Sequence, residues 1–292
     1  MEGERRLVTF FRLIVSVLLL AGATPSFSAP PKAHGPNGHV LITIPAGKYV
    51  LGEKGHPINP LHTAQLAAFR ISDAETTNEQ FAAFVQATGY VTDAERSGKS
   101  KVFTEGMADW VWVDTPAACW REPMGPQGPK AADLPSHPVT QISGSDAAAY
   151  CKWIGGRLPA LDEWEAAARA GVRTPYPWGA KFIKGHANIW NGATHHKEAT
   201  GDGYTYTAPI RSYPPNAWGL YDVIGNVFEY CADLPSTYRE RKDTLVSGRG
   251  GSWWCSAETC HSYNLVDIGR MNRHASLPNQ GFRVAFDVVK SE

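Results

Sequence analysis

The chain has 292 residues, and its 28 lysines and arginines are balanced by 28 aspartates and glutamates. A chain with no net charge offers no electrostatic basis for binding nucleic acid or an anionic membrane surface, so we expect neither as a partner. The 28 glycines, 21 prolines and 10 tryptophans favour many turns and short elements, with large aromatic side chains packed between loops.

Residues 1–28 are predicted to be a signal peptide. Two arginines precede an apolar run over Phe10–Leu20, and Ser26 and Ser28 stand where signal peptidase accepts small residues. The apolar run is too short to span a membrane comfortably. We therefore expect an exported protein, periplasmic or secreted, with no membrane attachment after cleavage.

One domain over residues 40–290 is predicted to follow a flexible lead-in over residues 29–39, which is rich in proline, glycine and histidine. At the start of the domain, apolar residues alternate on both sides of a Pro-Ala-Gly turn. This pattern predicts a β-hairpin over Val40–Leu51. A further short strand is predicted over Ala67–Ile71.

Three short helices are predicted. The capping-box pattern, a serine or threonine followed three residues later by an acidic residue, starts the first at Thr76 and the second at Ser143. Gly89 ends the first helix, and the third covers Leu161–Ala170. Between the first two helices lies a long stretch with little periodicity, which we interpret as an ordered and functional loop. After the third helix the chain is predicted to form loops and short strands.

The stretch Arg249–Cys260 combines two adjacent glycines, a serine, two tryptophans and two cysteines. The glycines permit a tight turn or the close approach of another group. Cys255 and Cys260 have four residues between them, unlike the Cys-x-x-Cys spacing of redox or zinc motifs. Two thiols on a short aromatic loop suit a soft metal ion, a labile disulfide or a nucleophile. With five cysteines in the chain, at least one thiol stays outside any set of intramolecular disulfides.

Several short motifs follow one another in the order found in a single enzyme family. They are Gly156-Arg157-Leu158-Pro159, Glu163-Trp164-Glu165, Tyr176-Pro177-Trp178-Gly179, Ala187-Asn188-Ile189-Trp190, Trp218-Gly219-Leu220-Tyr221-Asp222, Gly225-Asn226-Val227-Phe228-Glu229, Arg249-Gly250-Gly251-Ser252 and Gly281-Phe282-Arg283. Through them the chain resembles the formylglycine-generating enzyme family, also called the sulfatase-modifying factor family, as an exported bacterial-type member. The resemblance implies an α+β domain related to C-type lectin folds, with little regular secondary structure.

The resemblance also implies an activity and a catalytic site. Cys255 and Cys260 keep the spacing of the family's two Cu(I)-binding cysteines, and Ser252 matches a nearby serine. The reaction implied is the O2-dependent conversion of a cysteine to formylglycine in a protein or peptide substrate with an exposed sulfatase-type Cys-x-Pro-x-Arg segment. The peptide groove would be shaped by Trp253, Trp254 and Phe228. We expect the enzyme to act as a monomer.

Two structural calcium sites are implied in the same way. Calcium binds carboxylate, amide and main-chain oxygens, so apolar residues can be ligands through their carbonyl groups. The first implied set is Asn188, Ile189, Asp202 and Tyr204. The second is Asp222, Gly225, Val227 and Glu229.

The segment after Cys260 departs from the family pattern. Where family members carry an arginine-rich stretch, this chain has His261–Ile268, and Ile268 occupies a position where arginine is common. This departure keeps open a same-fold periplasmic oxidase that matures an exported peptide natural product, as in pyoverdine-type siderophore synthesis. A non-catalytic, lectin-like accessory module is a third possibility, which the intact cysteine pair disfavours. Because the adjacent His195 and His196 would point in opposite directions on a strand, no iron centre is predicted there.

Overall fold

The computed structural model describes residues 30–197, 201 and 203–288. The proposed signal peptide and the predicted calcium ligand Asp202 lie outside these residues. Within them, four α-helices are joined by short strands and long loops, which confirms the α+β class. They are α1 (Asn78–Thr88), α2 (Asp93–Ser97), α3 (Gly144–Trp153) and α4 (Leu161–Arg169). None of the helices in the described ranges has the length and hydrophobicity that crossing a membrane requires.

Twelve strands in the described residues form two four-stranded sheets and two hairpins. The strands are β1 (Lys32–His34), β2 (Val40–Ile44), β3 (Gly47–Leu51), β4 (His62–Leu66), β5 (Phe69–Ser72), β6 (Lys99–Val102), β7 (Val113–Pro116), β8 (Phe228–Cys231), β9 (Leu245–Arg249), β10 (Gly269–Asn272), β11 (Gln280–Gly281) and β12 (Ala285–Asp287). The first sheet has the order β1-β2-β5-β12 and is antiparallel throughout. The second has the order β10-β9-β8-β11, in which β11 and β8 are parallel.

The predicted hairpin over Val40–Leu51 is wrong. Both strands exist, but β2 pairs with β1 and β5, whereas β3 pairs with β4. The reason is burial: Leu41, Ile42 and Ile44 of β2 are all buried, so this strand lies inside a sheet and both of its edges are occupied. The two apolar runs therefore enter different sheets on either side of the Pro45 turn.

Residues expected to form a flexible lead-in carry secondary structure from Lys32 onward. Strand β1 pairs with β2 through Lys32 opposite Ile42 and His34 opposite Val40. His39 is buried, and its Nε2 lies 2.9 Å from the hydroxyl of Tyr150 in α3. The segment is therefore held by backbone pairing that its polar composition does not reveal.

The caps of the helices explain their boundaries. Helix α1 begins one residue later than predicted, because Thr77 is the N-cap and exchanges hydrogen bonds with Gln80. Thr76 instead donates its N–H to the carbonyl of Phe282, which keeps it extended. Helix α3 begins at the predicted Ser143 capping box. Helix α2 was not predicted, although Thr92 and Glu95 form a capping box there.

Three apolar clusters position the cysteine loop. One packs α1 and α3 against the second sheet, and another packs α4 against the first sheet. The third is a small aromatic cluster of Phe103, Trp190, Trp253 and Trp254, with Cys260 at its edge. The cysteine loop therefore sits on an aromatic cluster of its own.

Candidate functional site

The cysteine loop leaves β9 through two consecutive left-handed residues, Gly250 at φ 86° and Gly251 at φ 78°. A Cβ on Gly251 would lie 2.6 Å from the Cα of Tyr263, a distance that no side chain permits. Glycine is therefore required there, because the chain returning after Cys260 crosses the turn directly. This turn directs Ser252 and the residues that follow it into the interior.

Cys255 and Cys260 lie side by side and form a disulfide, with their Cα atoms 4.5 Å apart. Cys255 is fully buried, whereas Cys260 is partly exposed. The hydroxyl oxygen of Ser252 is 3.8 Å from the sulfur of Cys255 and accepts a 3.0 Å hydrogen bond from the amide of Asn279. The structure thus brings together the three residues expected to be catalytic, and Asn279, which sequence reasoning missed, holds the serine.

Trp253 and Trp254 both point into the protein. Trp253 is fully buried and donates its indole N–H to the carbonyl of Pro278 at 2.9 Å, and Trp254 is only 2% exposed. Phe228 lies apart from them, on β8, where it packs against the cluster formed with α1 and α3. The three predicted groove residues therefore do not form one surface in this structure.

Trp110 is the large aromatic side chain that reaches solvent next to the loop. It is 61% exposed, and its ring centroid lies 4.5 Å from that of Trp254 in an edge-to-face arrangement. Its φ of 66° is unusual for a bulky residue. The predicted functional loop between α2 and α3 contains this residue, but no sequence pattern singles it out.

His195 is buried and stacks on Trp254, with the ring centroids 4.2 Å apart and the rings nearly parallel. Its Nδ1 is 2.6 Å from a carboxylate oxygen of Asp109, and its Nε2 is 2.8 Å from the carbonyl oxygen of Trp254. His196 instead contacts the carbonyl of Gly106. The two histidines point apart as expected, and His195 fixes the main chain directly before Cys255.

The first predicted calcium set is represented in the described residues by Asn188, Ile189 and Tyr204. The side-chain oxygen of Asn188 is buried and has no hydrogen-bond donor. Its amide nitrogen donates to the carbonyl of Tyr206 at 2.7 Å and to the side chain of Asn226 at 3.1 Å. An oriented, buried oxygen without a donor is what a hard cation would accept as a ligand.

The second predicted set contains two buried carboxylates that differ in their hydrogen-bond and ion-pair partners. Glu229 is neutralised, since Arg283 contacts both of its oxygens at 2.6 and 2.5 Å and Trp164 donates to it at 2.7 Å. Asp222 is not neutralised: one oxygen accepts the N–H of Arg211 at 2.6 Å and the other has no donor. Burial raises the pKa of Asp222 to about 6, with the charge of Glu229 adding to the effect.

Glu75 joins this second set, although sequence reasoning missed it. Its side chain is buried, and one of its oxygens has no donor. Burial, followed by the charges of Asp222 and Glu229, raises its pKa. Two buried carboxylates that each have one oxygen without a hydrogen-bond donor fit a cation, so the residues present are compatible with calcium. No group of three or more His, Cys, Asp or Glu is arranged for a metal in the described ranges, so main-chain and amide oxygens would have to complete the shell.

A family model described as a sulfatase-modifying factor enzyme 1-like domain matches residues 26–288. The chain belongs to the sulfatase-modifying factor family. The formylglycine-generating enzyme of Streptomyces coelicolor is 37% identical over 306 residues, covering 92% of this chain and 97% of that enzyme. The formylglycine-generating enzyme of Thermomonospora curvata is 38% identical over 286 residues, covering 85% of this chain and 93% of that enzyme.

The solved structure of PvdO from Pseudomonas aeruginosa matches with a TM-score of 0.64 and 24% identity, covering 90% of this chain and 100% of PvdO. At this identity the match shows a shared fold. Together with the sequence relationships, it confirms the predicted family and fold class. The relatives named formylglycine-generating enzymes also confirm that the chain is an enzyme, as predicted.

The buried position of Ile268 explains one departure from the sulfatase-modifying factor pattern, and the structure also shows the state of the remaining cysteines. Ile268 is 7% exposed and packs in the apolar cluster around α4, so its side chain is a core component. The other three cysteines are free: Cys151 and Cys231 are buried, and Cys119 is partly exposed. Burial raises the pKa of the thiols of Cys151 and Cys231, which keeps them protonated and unreactive.

Proposed function

We propose that this enzyme is a copper-dependent oxidase that uses O2 to convert a cysteine of a sulfatase-type protein substrate to formylglycine. The observation that carries the proposal is the contact between Cys255 and Cys260, with Ser252 beside them on a rigid glycine turn. When reduced, the pair offers two sulfur ligands at one point. Two thiolates match a soft monovalent copper ion and leave room for a third sulfur from the substrate.

Copper, when bound, would supply the activation of O2, which is reduced to water with two electrons from the substrate's Cβ–S unit and two from an external reductant. The resulting thioaldehyde is hydrolysed to the aldehyde with loss of the sulfur. Around this chemistry, the protein's own groups have separate tasks. The Asn279 amide donates to the Ser252 oxygen, which leaves the serine hydroxyl proton free to be donated to a thiolate at Cys255. A hydrogen bond to a charged sulfur stabilises the thiolate over the thiol.

The aromatic cluster excludes water from one side of the pair. Trp253 and Trp254 are buried behind the cysteines, and the main-chain N–H of Trp190 donates to the carbonyl of Cys255 at 2.9 Å. The partly exposed Cys260 lies on the open side, and the exposed ring of Trp110 borders Trp254. We infer that an extended peptide binds across this side, with its cysteine next to Cys260.

Two calcium ions complete the proposal as structural cofactors. Asn188 serves the first site, and Asp222 with Glu75 serves the second, each through oxygens that have no donor in the described structure. The predicted signal peptide supports a location in the periplasm or outside the cell.

The segment after Cys260 favours a second candidate substrate. It supplies no arginine between Cys260 and Arg270, and Ile268 is buried, so fewer guanidinium groups border the loop than the family pattern implies. A site with altered charge suits a different peptide, such as an exported natural product of the siderophore type. This candidate keeps the oxidation and changes the peptide.

The test is direct oxidation of a defined peptide. The reduced enzyme is loaded with Cu(I) and incubated with O2, a reductant and a peptide that contains Cys-x-Pro-x-Arg, and the aldehyde is detected by its mass. We expect conversion of the cysteine, and none with a matched peptide in which serine replaces that cysteine. Absence of the aldehyde with verified copper loading would contradict the sulfatase-type substrate.

A Ser252→Ala variant tests the assignment of the hydroxyl. Loss of one hydrogen bond to a charged group typically costs about 1.5–3 kcal/mol, so turnover should fall by roughly one to two orders of magnitude. Cu(I) loading should persist because both sulfurs remain. Ser256→Ala, in which a neighbouring buried hydroxyl bonded to Thr259 is lost, is the matched control and should retain turnover.

A further inference from the structure

Asn226 lies between the two predicted calcium sets and the cysteine loop. It is 1% exposed and adopts a left-handed conformation with φ 57°, which asparagine tolerates better than most residues. Its side-chain oxygen accepts hydrogen bonds from the Asn188 amide at 3.1 Å and from the N–H of Ala208 at 2.9 Å. Its side-chain nitrogen donates to Glu75 at 3.1 Å and, at 3.4 Å, to the carbonyl of Ala208. A buried amide with every hydrogen-bonding direction occupied is fixed in one orientation.

One side of Asn226 contacts both candidate cation sites. Its main-chain N–H donates to the carbonyl of Asn188 at 2.8 Å, and its side chain contacts the same residue. It also follows Gly225 directly, and a Cβ on Gly225 would lie 2.1 Å from the Asn188 carbonyl oxygen. Asn188 of the first set and Gly225 of the second set are thus in direct contact here.

The other side of Asn226 contacts the cysteine loop. Its carbonyl accepts the main-chain N–H of Trp253 at 2.9 Å, and the N–H of Gly225 donates to the carbonyl of Gly250 at 2.9 Å. These two bonds lie on either side of Ser252 in the sequence, so they determine the position of that residue. They also influence the position of Cys255, which follows two residues after Trp253. A displacement of the Gly225–Asn226 bend is therefore passed to the loop by two short hydrogen bonds.

Buried oxygens without a hydrogen-bond donor supply a reason for such a displacement. Glu75, Asp222 and Asn188 each present one buried oxygen with no donor. A cation at either site would attract the oxygens of that site, whereas its removal from the second site leaves the carboxylates of Glu75 and Asp222 to repel each other. Glu75 and Asn188 are both hydrogen-bonded to the Asn226 side-chain amide. A shift of either residue when a cation binds or leaves would therefore move that amide directly.

We propose that Asn226 is a positioning residue that couples occupancy of the calcium sites to the geometry of Cys255 and Cys260. The inference rests on the proposed function for the identity of the metals. Because coupling between two sites is reciprocal, calcium should change the affinity of the cysteine pair for Cu(I), and Cu(I) should change calcium affinity by the same factor. Couplings of this kind typically amount to about fivefold or more.

The experiment measures the coupling in the full reduced protein. Cu(I) affinity is determined by competition with a copper chelator, with and without saturating Ca2+. In parallel, the alkylation rates of Cys255 and Cys260 are followed by mass spectrometry without copper. We expect wild-type Cu(I) affinity to rise about fivefold or more with calcium, and the alkylation rates to change in step.

The variant is Asn226→Gly, which keeps the left-handed backbone without strain and removes the amide. Its matched control is Asn37→Gly, because Asn37 is also left-handed and its amide bonds to Gln80 and Tyr150, away from both sites. We expect Asn226→Gly to bind calcium, judged by direct titration. The factor by which calcium changes the Cu(I) affinity and the alkylation rates should fall to nearly one. Asn37→Gly should retain the wild-type factor.

Equal coupling in Asn226→Gly and wild type would overturn the proposal. So would a wild-type protein that binds calcium with no change at either thiol, a result that needs no variant to fold. If copper does not bind but calcium alters alkylation, the coupling stands while the copper-based function fails. The two proposals are therefore separated by the same data.

Discussion

Arg249 and Glu165 form a fully buried ion pair, with a guanidinium nitrogen 2.5 Å from a carboxylate oxygen. Arg249 is the last residue of β9 and directly precedes the Gly250 turn, and Glu165 lies in the middle of α4. A second arginine, Arg169, contacts the other oxygen of Glu165 at 2.7 Å. The pair thus ties the start of the cysteine loop to the interior of a helix.

Glu165→Gln should be strongly destabilising. Burial alone would raise the pKa of Glu165, but the charges of Arg249 and Arg169 outweigh it and hold the pKa at about 2. Removing one partner of a buried pair typically costs about 3–5 kcal/mol, because the remaining charge is left uncompensated. Denaturant unfolding at neutral pH measures the loss. Glu163→Gln on the same helix, whose partner Arg157 is partly exposed, should cost about 1 kcal/mol or less.

The same pair predicts a pH dependence with a definite sign. The folded-state pKa of Glu165 lies below its ordinary value of 4.5, so its contribution is present above that value and is lost as the pH falls towards about 2. The free energies of unfolding of wild type and Glu165→Gln should therefore converge as the pH falls through this window. A difference that stays constant down to the pKa of about 2 would contradict the assignment.

The effect of Asp222→Asn on stability should depend on whether calcium is present. In the absence of a cation, burial and then the charge of Asp222 raise the pKa of Glu75, so removing the charge of Asp222 relieves repulsion. With calcium, the same change removes a ligand, and bound ligand stabilises by mass action. The melting temperature should thus fall below wild type in calcium and exceed it in EDTA. Equal shifts under both conditions would exclude a cation at Asp222.

Cys255→Ser and Cys260→Ser should each abolish tight binding of Cu(I), because one thiolate cannot form a two-coordinate sulfur site. The reduced wild type should take up a single ion per chain, measured by metal analysis after desalting. Cys119→Ser is the control, since Cys119 is partly exposed, as Cys260 is, but is free. Retained stoichiometric binding in either loop variant would place the metal elsewhere.

Trp110→Ala should weaken peptide binding with little effect on folding. Its exposed indole borders the cysteine loop, and loss of such an aromatic contact typically costs more than about 1 kcal/mol. We expect KM for the peptide to rise about five- to tenfold, with the melting temperature unchanged. Val50→Ala removes a similarly exposed apolar side chain on β3 and should leave KM unaltered. An unchanged KM in Trp110→Ala would locate the peptide on another surface.

Local signals predicted local features well. The Ser143 capping box and Gly89 mark real helix ends, because caps depend on hydrogen bonds between residues three or four apart. The predicted N-cap of α1 was one residue too early, because Thr76 and Thr77 both offer a hydroxyl. Only the hydrogen bond from Thr76 to the distant Phe282 shows that Thr77 is the cap. The cysteine pair was also predictable, because its spacing and its glycine turn are contiguous in sequence.

The rest of the site depends on partners that are far apart in the chain. His195 contacts Asp109 across 86 residues, and Glu75 meets Asn226 across 151. Neither side chain belongs to a recognisable motif, and a histidine or glutamate in a loop ordinarily faces solvent. Their roles arise from burial, which no short window of sequence reveals.

The first sheet contains both β1 and β12, so strands from the two ends of the chain lie in one hydrogen-bonded layer. The last strand cannot be added until synthesis has passed Asp287, and pairing between distant segments is slow because a long loop must close first. A nascent chain therefore remains without its completed core for the whole time that it is being made.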